Sequence, residues 1–407
     1  MKNYTGSLQM PRSIDKPWVW ASLSIVFVLA WQSLTVHANY DGNWTGLFRT
    51  GSAQAVPADL LADTHRNAHP RGYDGQFYRF LAHDPLLRNG TEAYLDSPAL
   101  RARRMLAPLL AWLLAAGRPG VIDAAYILLV AGSIFAGVYW MSRIMAHHGR
   151  SPAWGLSFLA VPAVLVGIDT MTVDVVLAAL IACFAWQVQT GRRRWLWLTV
   201  AAAPLVRETG LALAAACVIA ALFRKEWRNA GYWMTAAIPI LLWSAYLQTL
   251  FPATAMTTRA TFPVWYFPRW PPGILSAFLF QEAYANLSAP VGRLIRVMDR
   301  ACLLAVASGA LLGLLQFRAA RCRETTLVLC AFAAFIPLLG LPGIWIPVYG
   351  YSRLMSPLFL LLITTYSAKL RGPAFASVLL ICLVVDLRVS AEMLTQFLGV
   401  LRWLGWS

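Results

Sequence analysis

The sequence predicts an all-α polytopic membrane protein, a single transmembrane domain over residues 1–407 with about ten or eleven membrane helices. Of its 407 residues, 59% are hydrophobic and only 13% are charged, whereas an ordinary soluble domain carries about 25% charged residues. Apolar runs recur along nearly the whole length. They are continuous rather than alternating, which favours helical spans over barrel strands.

The net charge of +16 fits the same fold class. Most of the excess Lys and Arg lies in short clusters between apolar runs, which is typical of loops that stay in the cytoplasm. We therefore expect contact with membrane lipids, including anionic ones, and no binding of nucleic acid. The six Cys lie in or beside apolar runs without a CxxC pair, so we expect neither a disulfide framework nor a zinc site.

The first span is predicted over residues 18–36. Lys2, Arg12 and Lys16 precede it, which orients the N-terminus towards the cytoplasm. The apolar run is long enough to cross a bilayer, and no small-residue cleavage site stands out after it. We therefore interpret it as an uncleaved span rather than a signal peptide.

Residues 37–120 are predicted to form a large outer loop, and loops of this length are usually functional. The apolar run at 105–117 is too short for a comfortable crossing, and it follows Arg101, Arg103 and Arg104. We expect an interfacial or re-entrant helix there. Counting this run as a full crossing would reverse the orientation of every later span.

The remaining segments are divided by the same alternation of apolar runs and basic clusters. The run 195–222 is interrupted by RETG and has basic residues at both ends, so we expect a re-entrant pair or two short helices whose break points outward. No internal repeat is visible. The predicted order is central spans over 121–250, a second large outer loop over 251–300 and C-terminal spans over 301–390.

Four polar clusters lie at the predicted outer boundary of the membrane, where an ionisable residue is a functional candidate by default. The first is Asp74 in YDGQFY, residues 73–78. Asp74 could be a helix N-cap. Alternatively it is a catalytic general base, with Tyr73, Gln76 and Tyr78 as substrate contacts and the aromatic rings excluding water.

The second cluster is GIDTMTVD, residues 167–174. Asp169 and Asp174 could be solvated turn acids, with Asp174 capping the next helix. Alternatively, they face the same outer cavity as Asp74 and orient an acceptor hydroxyl, or hold a divalent cation through their carboxylate oxygens. The sequence permits a divalent cation without demanding one, and it predicts no dedicated metal site.

The third cluster is PLVRETGL, residues 204–211. Arg207 and Glu208 could form a simple buried ion pair. The other interpretation is a phosphate site, because a broken helix with an Arg at the break offers charged donors, free backbone N–H groups and a positive helix end. Glu208 would then orient the guanidinium of Arg207.

The fourth cluster is VYGYSRLMSP, residues 348–357. Arg353 could snorkel to the interface beside an aromatic belt formed by Tyr349 and Tyr351. In the functional interpretation, Arg353 is a second phosphate contact and Tyr351 lies at the substrate site.

Together these clusters indicate a reaction class. An acceptor hydroxyl needs a base, and a phosphate leaving group needs positive charge where its own charge develops. A substrate with a long lipid tail needs a site that opens into the bilayer. Glycosyl transfer from a polyprenyl-phosphate sugar meets all three requirements.

The segments YDGQFYRFLAHDP (73–85) and SPALRARRMLAPLLAWLLAAG (97–117) resemble bacterial multi-span proteins linked to cell-surface glycopolymer formation. RETGL (207–211) and YSRLMSPLF (351–359) are similar to the same family's pattern, and the layout resembles the broader GT-C glycosyltransferases. The resemblance implies a GT-C-like bundle with interfacial helices in two large outer loops. It also implies a polyprenyl-phosphate sugar donor, a glycan or lipid acceptor and an active site on the outer face of the bacterial inner membrane. It maps the family's acidic loop motif onto Asp74.

Two other classes of function stay open at this point. One is a transporter or flippase for lipid-linked glycans, which would favour paired broken helices and repeated halves. The other is a non-catalytic component of a polysaccharide assembly complex. The first observation that separates the enzyme from both is whether Asp74, Arg207 and Arg353 lie at one site.

Overall fold

The structure is a computed structural model, and it describes residues 16–251, 272–279, 288–320, 323–340, 342–369 and 373–406. Regular structure in these residues is helical, as predicted. Extended backbone in this part of the chain pairs only at an isolated bridge between Gly51 and Asn67. The predicted outer loop 251–300 lies largely outside the described residues.

The first half of the chain holds one long helix, a segment of short helices and then a second long helix. Its α-helices are α1 (Pro17–Asn39), α2 (Gly75–His83), α3 (Pro98–Arg103), α4 (Leu106–Leu114), α5 (Pro119–His147), α6 (Pro162–Thr170), α7 (Asp174–Thr190) and α8 (Arg193–Val206).

The second half continues with helices that pack against the first group. They are α9 (Leu211–Phe223), α10 (Trp227–Met234), α11 (Ile238–Leu250), α12 (Gly273–Leu279), α13 (Ala289–Ala320), α14 (Glu324–Leu338), α15 (Pro342–Trp345), α16 (Val348–Lys369), α17 (Pro373–Glu392) and α18 (Leu394–Trp403).

Four helical stretches among the described residues are long and apolar enough to cross a membrane. They are Pro17–Asn39, Pro119–His147, Trp227–Leu250 and Ala289–Arg318. A fifth is obtained if Pro152–Ala160 and α6, which meet at a bend of 65°, count as one span. Several further apolar helices are shorter. The chain is therefore a helical protein with the apolar helices of an integral membrane protein, while the total of ten or eleven spans stays a prediction.

Proline and glycine account for the interruptions. Pro162 begins α6 and has no N–H to continue the preceding turn, which explains the bend after Val161. Pro204 lies in the last turn of α8, and the helix ends two residues later. The predicted break inside 195–222 is confirmed.

The long helix α5 lies at the centre of the packing and contacts α1, α4 and α7. Its interior side chains, including Tyr126, Ile134 and Met141, are fully buried. Near its beginning, Asp123 accepts two hydrogen bonds from Arg79 Nε, at 2.9 and 3.0 Å, and one from Nη2 at 2.8 Å. This partly buried contact anchors α2 to the bundle.

Candidate functional site

The beginning of α2 is packed tightly against the end of α6. A Cβ atom at Gly75 would collide with the carbonyl oxygen of Thr170, so the close approach requires glycine. As a result, Asp74, the residue before α2, lies beside the α6–α7 turn that carries Asp169 and Asp174.

Asp74 forms two ion pairs. Its Oδ1 is 2.8 Å from Arg101 Nη2, and its Oδ2 is 2.9 Å from Arg353 Nη2. Asp74 occupies the N-cap position of α2, but its side chain makes no capping hydrogen bond, so the interpretation as a helix cap is wrong. Its carboxylate is held by arginines of α3 and α16 instead.

The protonation state of Asp74 follows from this setting. Burial by itself raises the pKa of the carboxyl, but the charges of Arg101 and Arg353 outweigh it and hold the pKa well below its ordinary value. Asp74 is therefore ionised at neutral pH. The same two arginines make it a weak base as long as both remain bound to it.

Arg353 extends the network to the second and third clusters. Its Nη1 is 3.2 Å from Asp174 Oδ2, and Asp174 Oδ1 is bound by Nη1 of Arg207. All three side chains are buried, with 4% to 9% of their surface exposed. The solvated position predicted as one option for Asp174, and the snorkelling position for Arg353, are both wrong.

The backbone at the break explains how Arg207 reaches Asp174. Arg207 is extended, with φ −158° and ψ 140°, and a single turn at Glu208–Gly210 then leads into α9. A Cβ on Gly210 would collide with the backbone at Ala203 and Pro204. The break thus turns the Arg207 side chain into the bundle.

Glu208 has a different ion-pair partner from the one expected. Its Oε1 is 2.7 Å from Arg104 Nη2 and its Oε2 is 3.0 Å from Arg104 Nε, a bidentate pair. Arg104 Nη1 also donates to the Tyr78 hydroxyl at 2.9 Å. Arg207 is oriented by Asp174, so the expected role of Glu208 in orienting it is corrected.

Asp169 belongs to a neighbouring cluster. Its Oδ1 is 2.6 Å from Arg49 Nη2, and its Oδ2 accepts a hydrogen bond from the Tyr349 hydroxyl at 3.1 Å. The carboxylate is almost fully buried, so the solvated-turn interpretation is wrong here as well. The Tyr349 ring stands edge-on to Tyr73, with 5.6 Å between ring centroids.

Tyr351 points elsewhere. It is fully buried, and its ring packs against Trp345 at 6.0 Å. Residues two apart on a helix face different directions, whereas residues four apart share a face. Tyr349 and Arg353 therefore share a face of α16, and Tyr349 takes the position at the site that was expected for Tyr351.

Of the other predicted substrate contacts, Tyr73 and Gln76 line the cavity that Asp74 also lines, whereas Tyr78 does not. Tyr73 lines a cavity, and the Arg353 guanidinium lies 4.9 Å from the centre of its ring. Gln76 is fully buried and fixes the loop, because its Nε2 donates to the Arg71 carbonyl at 2.8 Å and its Oε1 accepts from the Gly51 N–H at 3.1 Å. Tyr78 is fully buried between arginines.

Two cavities meet at Gly72 and Tyr73. The Asp74 cavity has a volume of 380 Å³, and its lining includes Gln54, Arg71, Asp74 and Asp96. The Asp169 cavity measures 410 Å³ and is lined by Arg49, Asp169, Tyr349 and Gln396, among others. Both volumes are within the range of about 300–1,000 Å³ that is typical of ligand sites. The single cavity expected for Asp74 and Asp169 is thus two adjoining ones.

Arg207 and Arg353 lie behind the carboxylates. Neither side chain lines the Asp74 cavity or the Asp169 cavity in the described part of the chain. A phosphate in either of these two cavities therefore meets a carboxylate before it meets Arg207 or Arg353. The network therefore favours a mechanism in which a phosphate replaces a carboxylate as the partner of an arginine. It does not resemble an open anion pocket with unoccupied arginines.

The carboxylates offer little to a metal ion in this arrangement. Among the described residues, no group of three or more His, Cys, Asp or Glu side chains lies close enough together to hold one. Asp74, Asp169 and Asp174 are each bound by at least one arginine. The site is thus a network of arginines that share carboxylate partners, and not a cluster of free carboxylates.

Sequence reasoning missed three contributors to the network. Arg101 and Arg104 were visible as the basic flank of the 105–117 run, and their spacing of three residues is the signal that they share a helix face. Arg49 had no comparable signal in its surroundings.

Comparisons with protein-family models, with curated proteins and with solved structures found no match to this chain. The resemblance to glycopolymer proteins and GT-C enzymes therefore stays a prediction.

Proposed function

We propose that this chain is a membrane glycosyltransferase, which moves a sugar from a polyprenyl-phosphate donor to a cell-surface glycan or lipid acceptor. One observation carries the proposal. Asp74, at the wall of a cavity, is joined through Arg353 to Asp174 and Arg207. A base and the positive charge for a phosphate are thus parts of one network, as glycosyl transfer from a phosphate donor requires.

In the proposed reaction, the acceptor hydroxyl attacks the anomeric carbon of the donor sugar. The new bond joins the acceptor oxygen to that carbon, and the hydroxyl proton goes to the Asp74 carboxylate. The bond between the anomeric carbon and the phosphate oxygen breaks, and the phosphate leaves with the electron pair. Its developing charge is neutralised by arginine.

An exchange of ion-pair partners would connect the binding of the donor phosphate with the activation of Asp74 as a base. In the ligand-free site, Asp74 is too weak a base because Arg101 and Arg353 hold it. A donor phosphate that draws either guanidinium away raises the pKa of Asp74 towards its ordinary value. The base then becomes effective when the donor is bound, which limits transfer to the loaded enzyme.

The test uses the purified full-length chain in detergent with a panel of radiolabelled polyprenyl-phosphate sugars and candidate acceptors. We expect transfer by the wild type and a loss of at least a hundredfold in Asp74→Asn, in line with the usual contribution of a general base, about 10²–10⁴-fold. Asp59→Asn is the matched control, because Asp59 is exposed in the same polar segment.

The assay also separates the alternatives. A detergent micelle has no two compartments, so product formation there cannot come from flipping. A wild-type chain that binds a donor but never transfers its sugar would point to the transporter or to the assembly component. Transfer at full rate by Asp74→Asn would remove Asp74 from the role of base.

A further inference from the structure

The Asp169 cavity has no part in the proposed reaction, although its lining shares Gly72 and Tyr73 with that of the Asp74 cavity. Part of its lining is buried, because Asp169 is 5% exposed and Gln396 is 7% exposed. Two other lining residues, His69 and Glu392, are exposed. The cavity is therefore a recess that a ligand can enter from outside the bundle.

The carboxylates and the guanidinium that line this cavity are already paired. Nη2 of Arg49 is 2.6 Å from Oδ1 of Asp169. Oε1 of Glu392 is 2.6 Å from Nη1 of Arg388, which does not itself line the cavity. A phosphate in this space would meet two carboxylates and no surplus of positive charge. The cavity therefore favours a polar ligand without a net charge.

The polar groups of the lining can still form further hydrogen bonds. Each oxygen of the Asp169 carboxylate accepts one hydrogen bond, from Arg49 and from the Tyr349 hydroxyl, although a carboxylate has about four acceptor positions. The Tyr73 hydroxyl makes no hydrogen bond with any residue that the structure describes. A sugar hydroxyl is both a donor and an acceptor, so it can donate to a carboxylate and accept from Tyr73.

Two aromatic rings complete the lining. Tyr73 and Tyr349 both line the cavity, with 5.6 Å between their ring centroids and an angle of 84° between their planes. Aromatic rings offer rigid apolar surface, on which the C–H face of a sugar ring can pack. Ligand sites typically combine such surface with a few well-placed polar groups. Both kinds of surface are therefore available to one ring-shaped polyol.

We propose that the Asp169 cavity binds a neutral sugar ring, which belongs either to the acceptor glycan or to the glycosyl group of the donor. The choice of a sugar rests on the proposed transfer reaction. Hydroxyls of the ring donate to Asp169 and Glu392 and accept from Tyr73, and its C–H face packs on an aromatic ring. Since Tyr73 lines both cavities, the bound ring lies next to the cavity of Asp74.

The experiment has two arms, both with the purified full-length chain in detergent. In the first, methyl glycosides of glucose, galactose, mannose and N-acetylglucosamine are titrated and followed by saturation-transfer NMR. We expect saturable binding of at least one of them, although they carry neither phosphate nor lipid. In the second, retention of radiolabelled polyprenyl-phosphate sugar is measured with that glycoside at saturation. Displacement of the donor assigns the ring to the donor, and undiminished retention assigns it to the acceptor. Either result supports the proposal.

Variants locate the glycoside in the cavity. Tyr73→Phe removes one hydroxyl and should weaken glycoside binding about fivefold, the effect of one neutral hydrogen bond. Its control is Tyr94→Phe, because Tyr94 belongs to the same polar segment but lines neither the Asp74 cavity nor the Asp169 cavity.

Glu392→Ala should weaken binding about tenfold, since hydrogen bonds to charged groups are stronger. Arg388 keeps Asp299 as a partner in this variant. Glu226→Ala is the matched control, because Glu226 also shares an arginine, Arg224, that keeps a second acid.

The outcome separates this proposal from the transfer reaction. Asp74 does not line the Asp169 cavity, so Asp74→Asn should bind the glycoside like the wild type while it loses transfer. Glycoside binding by a chain that never transfers sugar would uphold the cavity and contradict the reaction. No saturable binding of any of the four glycosides, or equal losses in Glu392→Ala and Glu226→Ala, would overturn the sugar site even if transfer depends on Asp74.

Discussion

Nη2 of Arg353 lies 2.9 Å from Oδ2 of Asp74, although 279 positions separate the two residues in the sequence. The same guanidinium binds Asp174 through Nη1. Arg353 therefore ties the loop before α2 and the beginning of α7 to α16. Removing it leaves two acids, one of them almost fully buried, without a shared partner.

The first prediction concerns this link. We expect Arg353→Gln to lower the free energy of unfolding by about 3–5 kcal/mol, the usual cost of breaking a buried ion pair from one side. Thermal unfolding of the purified chain in detergent, followed by circular dichroism, measures the change.

Arg224→Gln is the control for that experiment. Arg224 also binds two acids, but 32% of its side chain is exposed, and pairs exposed to solvent contribute only about 0–1 kcal/mol. Equal shifts in the two variants would show that the Arg353 network contributes no more than a surface pair.

The second prediction concerns pH. The pKa of Asp74 is held below its ordinary value of 3.8, so the unfolded chain takes up a proton at a higher pH than the folded one. The stability from the ionised carboxylate is complete above the ordinary pKa and is lost as the pH falls towards the folded pKa. We expect the difference in unfolding temperature between wild type and Asp74→Asn to stay constant from pH 7 to 5 and to narrow below about pH 4.

Using the difference between the two chains cancels the acids that both share. A difference that already disappears between pH 7 and pH 5 would contradict the assignment of a lowered pKa to Asp74.

The third prediction tests the contact between α2 and α6. Gly75→Ala places a Cβ against the Thr170 carbonyl, so α2 has to move and carry Asp74 out of register with Arg353. We expect a lower unfolding temperature together with a loss of transfer activity.

Gly132→Ala provides the comparison. Gly132 lies within α5, and a Cβ there would have no neighbour within 4 Å. Alanine in a helix interior is favoured over glycine by about 0.5–1 kcal/mol, so this variant should be neutral or slightly more stable. A Gly75→Ala chain that behaves like Gly132→Ala would show that the close approach is not needed.

The fourth prediction concerns Asp386 in α17. It is 6% exposed, and its Oδ1 has no hydrogen-bond partner among the described residues. A buried polar group without a partner costs about 1–3 kcal/mol. We therefore expect Asp386→Leu to raise the unfolding temperature.

Asp299→Leu should have the opposite effect. Asp299 is equally buried, at 4% exposed, but it is bound by Arg388 at 2.7 Å. The same substitution then leaves a buried guanidinium short of a partner. If Asp386→Leu and Asp299→Leu destabilise the chain alike, Asp386 has a partner that its surroundings do not reveal.

Composition and periodicity predicted the helical fold, and Pro204 and Gly210 predicted the break around Arg207. The rule that charges at membrane depth are functional candidates selected Asp74, Asp174, Arg207 and Arg353, and the structure brings these four together. Each is a charged residue at the predicted boundary of an apolar stretch, where a charge is energetically costly. This can be recognised in a single sequence.

Which acid pairs with which arginine could not be predicted from the sequence in the same way. Glu208 binds Arg104 rather than the adjacent Arg207, because its partner is decided by which helices pack together. The choice between Tyr349 and Tyr351 depends on the rotation of α16 about its axis. The two cavities share Gly72 and Tyr73 in their linings, an arrangement that depends on tertiary packing and not on local sequence.

The position of Arg353 near the end of the chain has a consequence for biosynthesis. Ribosomes add about 5–20 residues per second, so roughly 14 to 56 s pass between the synthesis of Asp74 and that of Arg353, given their separation of 279 residues. Until then, of the two arginine partners of Asp74, only Arg101 has been synthesised. The last contact of the site closes only after α16 has been made, so a truncated chain cannot complete it.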